Sequence, residues 1–178
     1  MITNIVVVGS GVMGRGIAYV GATGGFDITL VDVNPSALDS AQTEIDIIFE
    51  KGVRYGKITS EEADSAKNRL LYSSNLKEAA FNADLIIEAV PERAEIKKAV
   101  FETIEEHVQE HCYFATNTST MSPTEIGSYG KRPEKTIAMH FFNPVQKMRL
   151  IEIVGGLETS DDTAAVIKQV AERMGKET

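Results

Sequence analysis

The chain has 178 residues, of which 43% are hydrophobic, and a formal net charge of −8. This length predicts one domain with a sizeable core and leaves no room for a second large domain. The negative charge argues against a nucleic-acid or anionic-membrane surface, since neither attracts a polyanion. No apolar stretch approaches the ~20 residues that a membrane span needs.

The cysteine count points to a reducing compartment. Cys112 is the single cysteine and cannot form an internal disulfide, and its neighbours predict a strand rather than an activated thiol. The N-terminal apolar run has neither the basic segment nor the cleavage site of a signal peptide. We therefore expect a cytoplasmic protein.

The first 33 residues predict a strand, a glycine turn, a helix and a second strand. The apolar residues 5–8 break at a turn that reads Gly9-Ser10-Gly11-Val12-Met13-Gly14, and a helical pattern follows. Gly9 permits the tight turn, Gly11 lets backbone N–H groups approach a pyrophosphate, and Gly14 lets the helix lie close to the sheet. Phosphates bind at such a helix N-terminus, so Val12 and Met13 are candidate cofactor contacts.

Asp32 follows Gly14 by eighteen residues, near the end of the second strand. A dinucleotide-binding βαβ unit holds its ribose-binding acid at this offset. The carboxylate can accept from a free 2′-hydroxyl and would repel a 2′-phosphate, and residues 33–36 supply no Arg or Lys. These observations predict NAD rather than NADP. The alternative is a glycine turn without a ligand, but strand, glycines, helix, strand and acid all occur here in order.

Residues 35–55 form an amphipathic pattern that predicts a helix packed on the sheet. Its far end carries a basic cluster, Lys51, Arg54 and Lys57, at intervals of three. This cluster is either a phosphate-binding face or a solvated helix end. Thr59 and Glu62 predict a capping box that opens a short helix. A short strand (70–73), a helical turn (75–81) and a compact strand (85–87) follow.

The second half of the chain continues the alternation of predicted strands and helices. A helix is predicted over residues 93–108, a strand over 113–116 and another strand over 137–142. Residues 149–154 predict a further strand, which must run antiparallel to the strand before it because the connection between them is short. A last helix is predicted over 160–174. His107 and His111 are spaced as metal ligands could be, but the stronger interpretation is two polar residues near a helix C-terminus without a third ligand. We expect no metal site.

Three of the predicted strand ends carry polar residues just past apolar runs: Glu92, Ser119 and His140. The active site of an open α/β sheet lies at such strand ends. Oxidation of a secondary alcohol needs a base that works near neutral pH, and histidine is the residue type that fits. Glu152, on the predicted antiparallel strand, could orient His140 as the carboxylate of a hydrolase triad does. A packed histidine and a surface glutamate are the alternative.

Together these patterns predict an α/β fold: a Rossmann-like doubly wound sheet, mostly parallel with an antiparallel last strand, and helices on both faces.

Four segments resemble the short-chain L-3-hydroxyacyl-CoA dehydrogenases, including 3-hydroxybutyryl-CoA dehydrogenases. They are the glycine turn with its helix (9–18), Glu88-Ala89-Val90-Pro91-Glu92, Thr116-Asn117-Thr118-Ser119, and His140-Phe141-Phe142-Asn143-Pro144 followed by Leu150-Ile151-Glu152. The resemblance spans residues 4–176, and the segment at His140 is the most specific part.

The resemblance implies NAD as cofactor and an acyl-CoA substrate. It implies His140 as the base with Glu152 as its partner, and Ser119 and Asn143 as hydrogen-bonding groups for the substrate. It places Glu92 and Lys97 at the nicotinamide side of NAD. The family's CoA site lies near the helix that carries the basic cluster.

The family also carries a further strand and a helical domain that covers the substrate and forms a homodimer. This sequence resembles the NAD-binding domain alone, so we expect residues 1–178 to bind NAD, to turn over weakly and not to form that dimer. We expect an open sheet edge near residues 149–154 and exposed apolar surface around Phe141, Phe142 and Met148. The competing functions are an NAD-binding module without useful catalysis and a related NAD-dependent 3-hydroxy acid dehydrogenase.

Overall fold

The computed structural model describes residues 1–178, which form one seven-stranded sheet. The strands are β1 Asn4–Val8, β2 Asp27–Val31, β3 Leu70–Ser73, β4 Leu85–Glu88, β5 Tyr113–Thr116, β6 Thr136–Phe141 and β7 Ile151–Gly155. Their order is β3-β2-β1-β4-β5-β6-β7, and all neighbours are parallel except β6 and β7. The predicted fold class is confirmed.

Seven α-helices accompany the strands: α1 Val12–Thr23, α2 Pro35–Arg54, α3 Ser60–Lys67, α4 Leu76–Phe81, α5 Ala94–Glu105, α6 Pro123–Gly127 and α7 Asp161–Arg173. One turn of 3-10 helix, Pro133–Lys135, precedes β6. The predicted capping box is present, because Thr59 accepts from the Glu62 N–H while the Glu62 carboxylate accepts from the Thr59 N–H. None of the helices is both long and apolar enough to cross a bilayer.

Two apolar cores lie on opposite faces of the sheet. Ile17 of α1, Ile45 of α2 and Ile167 of α7 belong to the larger core, and Ala63 of α3 joins them. Helices α4, α5 and α6 cover the other face through a smaller core that includes Phe101. The central strands are therefore buried on both faces, which explains their continuous apolar sequences.

The strand order reverses between β1 and β4, and this reversal positions the candidate site. The chain leaves β1 for β2 on one side and reaches β4 on the other. Loops that leave two such strands diverge and open a crevice at the carboxyl ends of the strands, where doubly wound proteins bind ligands. The glycine turn follows β1, and residues 89–93 follow β4, so both border this crevice.

The outer edge of the sheet, at the start of β7, has a partner that the sequence did not predict. The Glu177 N–H donates to Arg149 O at 2.8 Å and the Ile151 N–H donates to Glu177 O at 2.9 Å, which gives Leu150 a parallel partner in Glu177. The expectation of an edge without a neighbour is thus wrong at the start of β7. The chain reaches this position because Gly175, at a φ of 76°, turns it back after α7.

The expectation of exposed apolar surface around Phe141, Phe142 and Met148 is also only partly correct. Phe141, the last residue of β6, is 2% exposed because its side chain belongs to the larger apolar core. Phe142 is half-buried with its ring 4.6 Å from that of His140, whereas Met148 is exposed.

Candidate functional site

The glycine turn between β1 and α1 is shaped by close backbone contacts. Gly9 has a φ of 101°, and a Cβ on it would lie 2.6 Å from the Ala89 carbonyl oxygen of the loop after β4. A Cβ on Gly14 would lie 1.7 Å from Gly9 O, so only glycine lets α1 begin this close to the turn. A Cβ on Gly11 would meet nothing within 4 Å and would point into open space. The open side of Gly11 leaves room for a ligand at the helix N-terminus, where Val12 and Met13 begin α1.

Asp32 lies just beyond β2, next to this turn. Its Oδ2 accepts from the Ser10 backbone N–H at 2.9 Å and from the Ser10 hydroxyl at 2.7 Å, and its Oδ1 accepts from the Asn34 N–H at 3.0 Å. Burial raises the pKa of Asp32, but these hydrogen bonds outweigh it and hold the pKa below its usual value. The group is therefore a carboxylate at neutral pH, and Oδ1 retains capacity for a further donor.

His140 and Glu152 face each other across the antiparallel pair of β6 and β7. His140 Nδ1 lies 2.8 Å from Glu152 Oε2. An ionised carboxylate can only accept, so Nδ1 donates to it, and in the neutral imidazole Nε2 then carries the lone pair. The His140 side chain is 21% exposed and that of Glu152 is 53% exposed. The register of one hairpin therefore assembles an oriented, accessible imidazole.

Lys97 and Glu92 lie together after β4, and Glu92 is the exposed member of the pair. The Lys97 side chain is 1% exposed, and its Nζ contacts Glu88 as well as Glu92. The contact of Lys97 with the cofactor, which the resemblance implies, stays a prediction. Burial raises the pKa of Glu92, yet the hydrogen bonds from Thr118 and Lys97 and the Lys97 charge bring the pKa below its usual value.

Ser119 and Asn143 are both exposed, in the loops that follow β5 and β6. These loops are joined, because Asn117 Oδ1 accepts from the Phe141 N–H at 3.0 Å. Parallel strands β4, β5 and β6 end at the same side of the sheet. Glu92, Ser119 and Asn143 follow these strands, and His140 is the last residue but one of β6, so all four lie at the carboxyl ends that border the crevice.

A cavity of about 790 Å³ lies between the α1–α2 pair and the loop after β6. Lys51 and Lys57 of the basic cluster line it, whereas Arg54 does not and instead lies over the Tyr55 ring at 6.0 Å. The remaining polar and charged lining residues include Arg15, Glu44, Asn143, Gln146 and Lys147. The cavity is thus a basic pocket that borders the glycine turn at Val12.

The two histidines considered as metal ligands have separate partners. His107 Nδ1 lies 2.8 Å from Thr103 O at the end of α5, and His111 Nε2 lies 3.0 Å from Asp84 Oδ1. No group of three His, Cys, Asp or Glu side chains is arranged to hold a metal. Cys112 is fully buried, and its burial raises the thiol pKa to about 12.

Several residues of the site were not recognised from the sequence. Ser10 binds Asp32, Glu88 binds Lys97, and Arg15 and Lys147 add cations to the cavity. Ser10 lies inside the glycine motif, where only its contact with Asp32 distinguishes it from a spacer. An acid within an apolar strand, as at Glu88, is a signal that could have been used, because buried carboxylates need partners.

Comparisons with known proteins agree with this geometry. The family described as 3-hydroxyacyl-CoA dehydrogenase, NAD binding domain, matches residues 4–178. A probable 3-hydroxybutyryl-CoA dehydrogenase of Bacillus subtilis is 39% identical over 175 residues, which cover 98% of this chain and 61% of that protein.

Solved structures give the same result. The crystal structure of 3-hydroxybutyryl-CoA dehydrogenase from Escherichia coli K12 superposes with a TM-score of 0.96 at 36% identity and covers 99% of this chain and 37% of that one. That of (S)-3-hydroxybutyryl-CoA dehydrogenase from Ralstonia eutropha has a TM-score of 0.95 at 32% identity, covering 99% and 62%. The chain spans less than two thirds of each of these relatives. With a family match over residues 4–178, this chain belongs to the 3-hydroxyacyl-CoA dehydrogenase family as its NAD-binding domain.

Proposed function

We propose that this domain supplies the NAD site and the catalytic base for oxidation of an L-3-hydroxyacyl-CoA to the 3-oxoacyl-CoA. The observation that carries the proposal is the 2.8 Å contact between His140 Nδ1 and Glu152 Oε2 at the carboxyl end of β6. The dehydrogenases that resemble this chain support the substrate class by their names.

The proposed base is His140. Glu152 holds Nδ1–H, so the free Nε2 lone pair can take the proton of the substrate's C3 hydroxyl, and Glu152 then stabilises the imidazolium. NAD, when bound, accepts the hydride that leaves C3. The C3–H and O–H bonds break, a C3=O double bond forms, and the proton remains on His140. Ser119 and Asn143 are proposed to hydrogen-bond the substrate's oxygens.

The residues present fit NAD. The open space at Gly11 and the N-terminus of α1 suit the pyrophosphate, because N–H groups of a first helical turn have no partner within the helix. Asp32 Oδ1 has acceptor capacity left for a ribose hydroxyl, and Ser10 holds the carboxylate in place. We assign Gly9, Gly11, Gly14 and Asp32 to the core of the NAD site, with Glu92 beside the nicotinamide.

The CoA moiety is assigned to the cavity beside Asn143. CoA carries phosphates, and Lys51, Lys57, Arg15 and Lys147 are the cations that line this space. Arg54 of the predicted cluster is a less direct candidate because its guanidinium lies over Tyr55 instead of lining the cavity.

A second candidate is an NAD-binding module that needs another segment before it can turn over substrate. The exposure of Ser119, Asn143 and Glu152 favours it, since a catalytic site gains from the exclusion of water. The two candidates are separated by assaying NADH oxidation with acetoacetyl-CoA beside a calorimetric titration of NAD on the same sample.

Replacement of His140 by Gln tests the base directly. We expect turnover of acetoacetyl-CoA with NADH to fall by ~10² or more, because a lost general acid–base group costs that much. NAD affinity should stay nearly unchanged, since His140 lies outside the glycine turn. His107→Gln, at the end of α5, is the matched control. Turnover that persists in the His140 variant would make His140 structural and defeat the proposal.

A further inference from the structure

The hydroxyl of Ser10 is buried inside the glycine turn and donates to one neighbour. Ser10 is 4% exposed and lies between Gly9, whose φ is positive, and Gly11, which has open space beside it. The Ser10 Oγ lies 2.7 Å from Asp32 Oδ2, and because an ionised carboxylate can only accept, the hydroxyl donates. The glycine motif needs no side chain at this position, so this contact is an addition to the motif.

The two oxygens of the Asp32 carboxylate are held in different ways. Oδ2 accepts from the Ser10 hydroxyl at 2.7 Å and from the Ser10 backbone N–H at 2.9 Å, so it faces the turn. Oδ1 accepts from the Asn34 N–H at 3.0 Å and has capacity for one more donor. The carboxylate is thereby fixed from two segments of the chain, and Oδ1 is the oxygen available to a ribose hydroxyl.

The backbone of the turn is itself attached to the neighbouring elements. The Gly9 N–H donates to Val31 O, the last residue of β2, at 2.8 Å. On its other side Gly9 is packed so closely that a Cβ would lie 2.6 Å from the Ala89 carbonyl oxygen. The Ser10 hydroxyl therefore projects from a well-supported backbone, and its hydrogen bond passes that fixed position on to Asp32.

We propose that Ser10 is a specificity-determining residue for the cofactor. Its hydroxyl holds the Asp32 carboxylate where it accepts from the 2′-hydroxyl of NAD and opposes the 2′-phosphate of NADP. Ser10 is thus a positioning residue that acts through Asp32. The proposal rests on the assignment of Asp32 to the NAD site under the proposed function.

The two cofactors differ in what they require of the carboxylate. A 2′-hydroxyl donates to Oδ1 and leaves the carboxylate in place, whereas a 2′-phosphate is repelled and binds only when the carboxylate moves away. This movement breaks the hydrogen bonds from Ser10, and a hydrogen bond to a charged acceptor is worth about tenfold in an equilibrium constant. Residues 33–36 contain no Lys or Arg to offset the repulsion. The Ser10 hydroxyl therefore adds to the cost of binding NADP.

A second effect of the hydroxyl has the opposite sign and is smaller. Donation to Oδ2 also disperses the carboxylate charge, so loss of the hydroxyl strengthens the repulsion of a phosphate. The hydroxyl is neutral, however, and its removal leaves the net charge of the site unchanged, while Oδ2 keeps the Ser10 backbone N–H as a donor. The lower cost of moving the carboxylate therefore decides the direction of the change.

The substitution Ser10→Ala removes the hydroxyl and keeps the backbone N–H. The dissociation constants of NADH and NADPH are measured by fluorescence titration of one sample. We expect the ratio of the NADPH constant to the NADH constant to fall about fivefold or more, since NADPH no longer breaks this bond and NADH meets a less ordered carboxylate. The matched control is Ser40→Ala, at an exposed serine of α2 whose hydroxyl donates to Ser36 O, and it should keep the parent's ratio.

Two results for Ser10→Ala would overturn the proposal. An equal loss of affinity for both cofactors would show that Ser10 only supports the turn, which faces the pyrophosphate common to both. Unchanged affinity for both cofactors would show that the hydroxyl does not matter. Urea unfolding checks the fold of each variant. If Ser10→Ala does not fold, Ser10→Gly also lacks the hydroxyl, tolerates any backbone conformation and carries the same expected ratio.

Combination with Asp32→Ala shows whether Ser10 acts through this carboxylate. In that background Ser10→Ala should leave the ratio unchanged, because no carboxylate remains to be held. A fall by the same factor in both backgrounds would overturn the proposal. Failure of the site assignment has its own signature, an Asp32→Ala protein with unchanged NADH affinity and an unchanged ratio. If only the proposal about Ser10 fails, the ratio responds to Asp32→Ala and not to Ser10→Ala.

Discussion

Individual residues of the candidate site depend on partners that are distant in sequence. Asp32 is held by both donors of Ser10, a residue 22 positions earlier, and by the N–H of Asn34. These bonds fix the carboxylate before any ligand arrives. A fixed acceptor loses little conformational entropy when a ribose hydroxyl binds, so Asp32 should contribute strongly to NAD affinity.

Replacement of Asp32 by Ala should weaken NAD binding by about 1–3 kcal/mol, because a hydrogen bond to a charged acceptor is lost and the hydroxyl is left without a partner. Calorimetric titration of NAD measures the change. Asp39→Ala, at an exposed position in α2, is the control and should bind NAD as the parent does. Unchanged affinity in the Asp32 variant would contradict the assignment.

The arrangement of elements depends on a contact between α1 and the loop after β6. Gly16 lies in the middle of α1, and a Cβ on it would lie 2.8 Å from the Cβ of Val145. Val145 is 2% exposed, and the buried Lys176 donates to the carbonyl oxygens of Val145 and Met148. The loop that carries Asn143 is thereby pinned to the helix that begins at the glycine turn.

The substitution Gly16→Ala tests this contact, because the contact and helix propensity predict changes of opposite sign in the free energy of unfolding. Helix propensity alone predicts that Ala stabilises a helix interior by roughly 1 kcal/mol over Gly. The contact with Val145 predicts the opposite, a loss of about 1–3 kcal/mol from overpacking. Urea unfolding measures the difference. The loss should shrink in a Val145→Gly background, and a stabilised Gly16→Ala protein would show that the contact is not tight.

The whole molecule carries acidic groups whose charged forms are stabilised by folding. Asp84 accepts from the N–H groups of Thr3 and Asn4 at the start of β1 and contacts His111. Burial raises the pKa of Asp84, but these hydrogen bonds and the His111 charge lower the pKa by more than burial raises it. The pKa of Asp84 therefore lies below its ordinary 3.8. Asp32 and Glu92 are shifted in the same direction. Each group therefore binds protons more weakly in the folded state than in the unfolded state.

These shifts determine the direction of the pH dependence. The stabilisation is fully present above the ordinary pKa values near 4 and is lost as the pH falls through the lower folded values. Urea unfolding between pH 7 and pH 3 should show a decline below about pH 4. Asp84→Asn should be less stable by about 1 kcal/mol at pH 7, and the difference from the parent should narrow at low pH. A constant difference across this range would contradict the shift.

The association of the 178-residue chain is a separate prediction. On the outer edge of β7, the side away from β6, only the start of the strand has a partner, Glu177. The exposed apolar residues along and next to this strand are Leu150, Val154 and Leu157. An edge of this kind favours weak strand addition rather than a closed dimer. We expect sedimentation to show a monomer with weak self-association, with and without NAD. A stable dimer with turnover equal to that of the longer relatives would contradict this expectation.

The sequence by itself determined what short-range patterns encode. Apolar periodicity predicted the strands and helices, the glycine spacing and Asp32 predicted the βαβ unit, and the short connection from β6 predicted the antiparallel β7 that faces Glu152 with His140. Tertiary structure decided the rest, because side-chain partners depend on distances across the fold. It buried Lys97 between two carboxylates, pinned Val145 against Gly16, and paired Glu177 with Leu150. No local pattern specifies these contacts, since each depends on where the folded strands, helices and loops place the side chains.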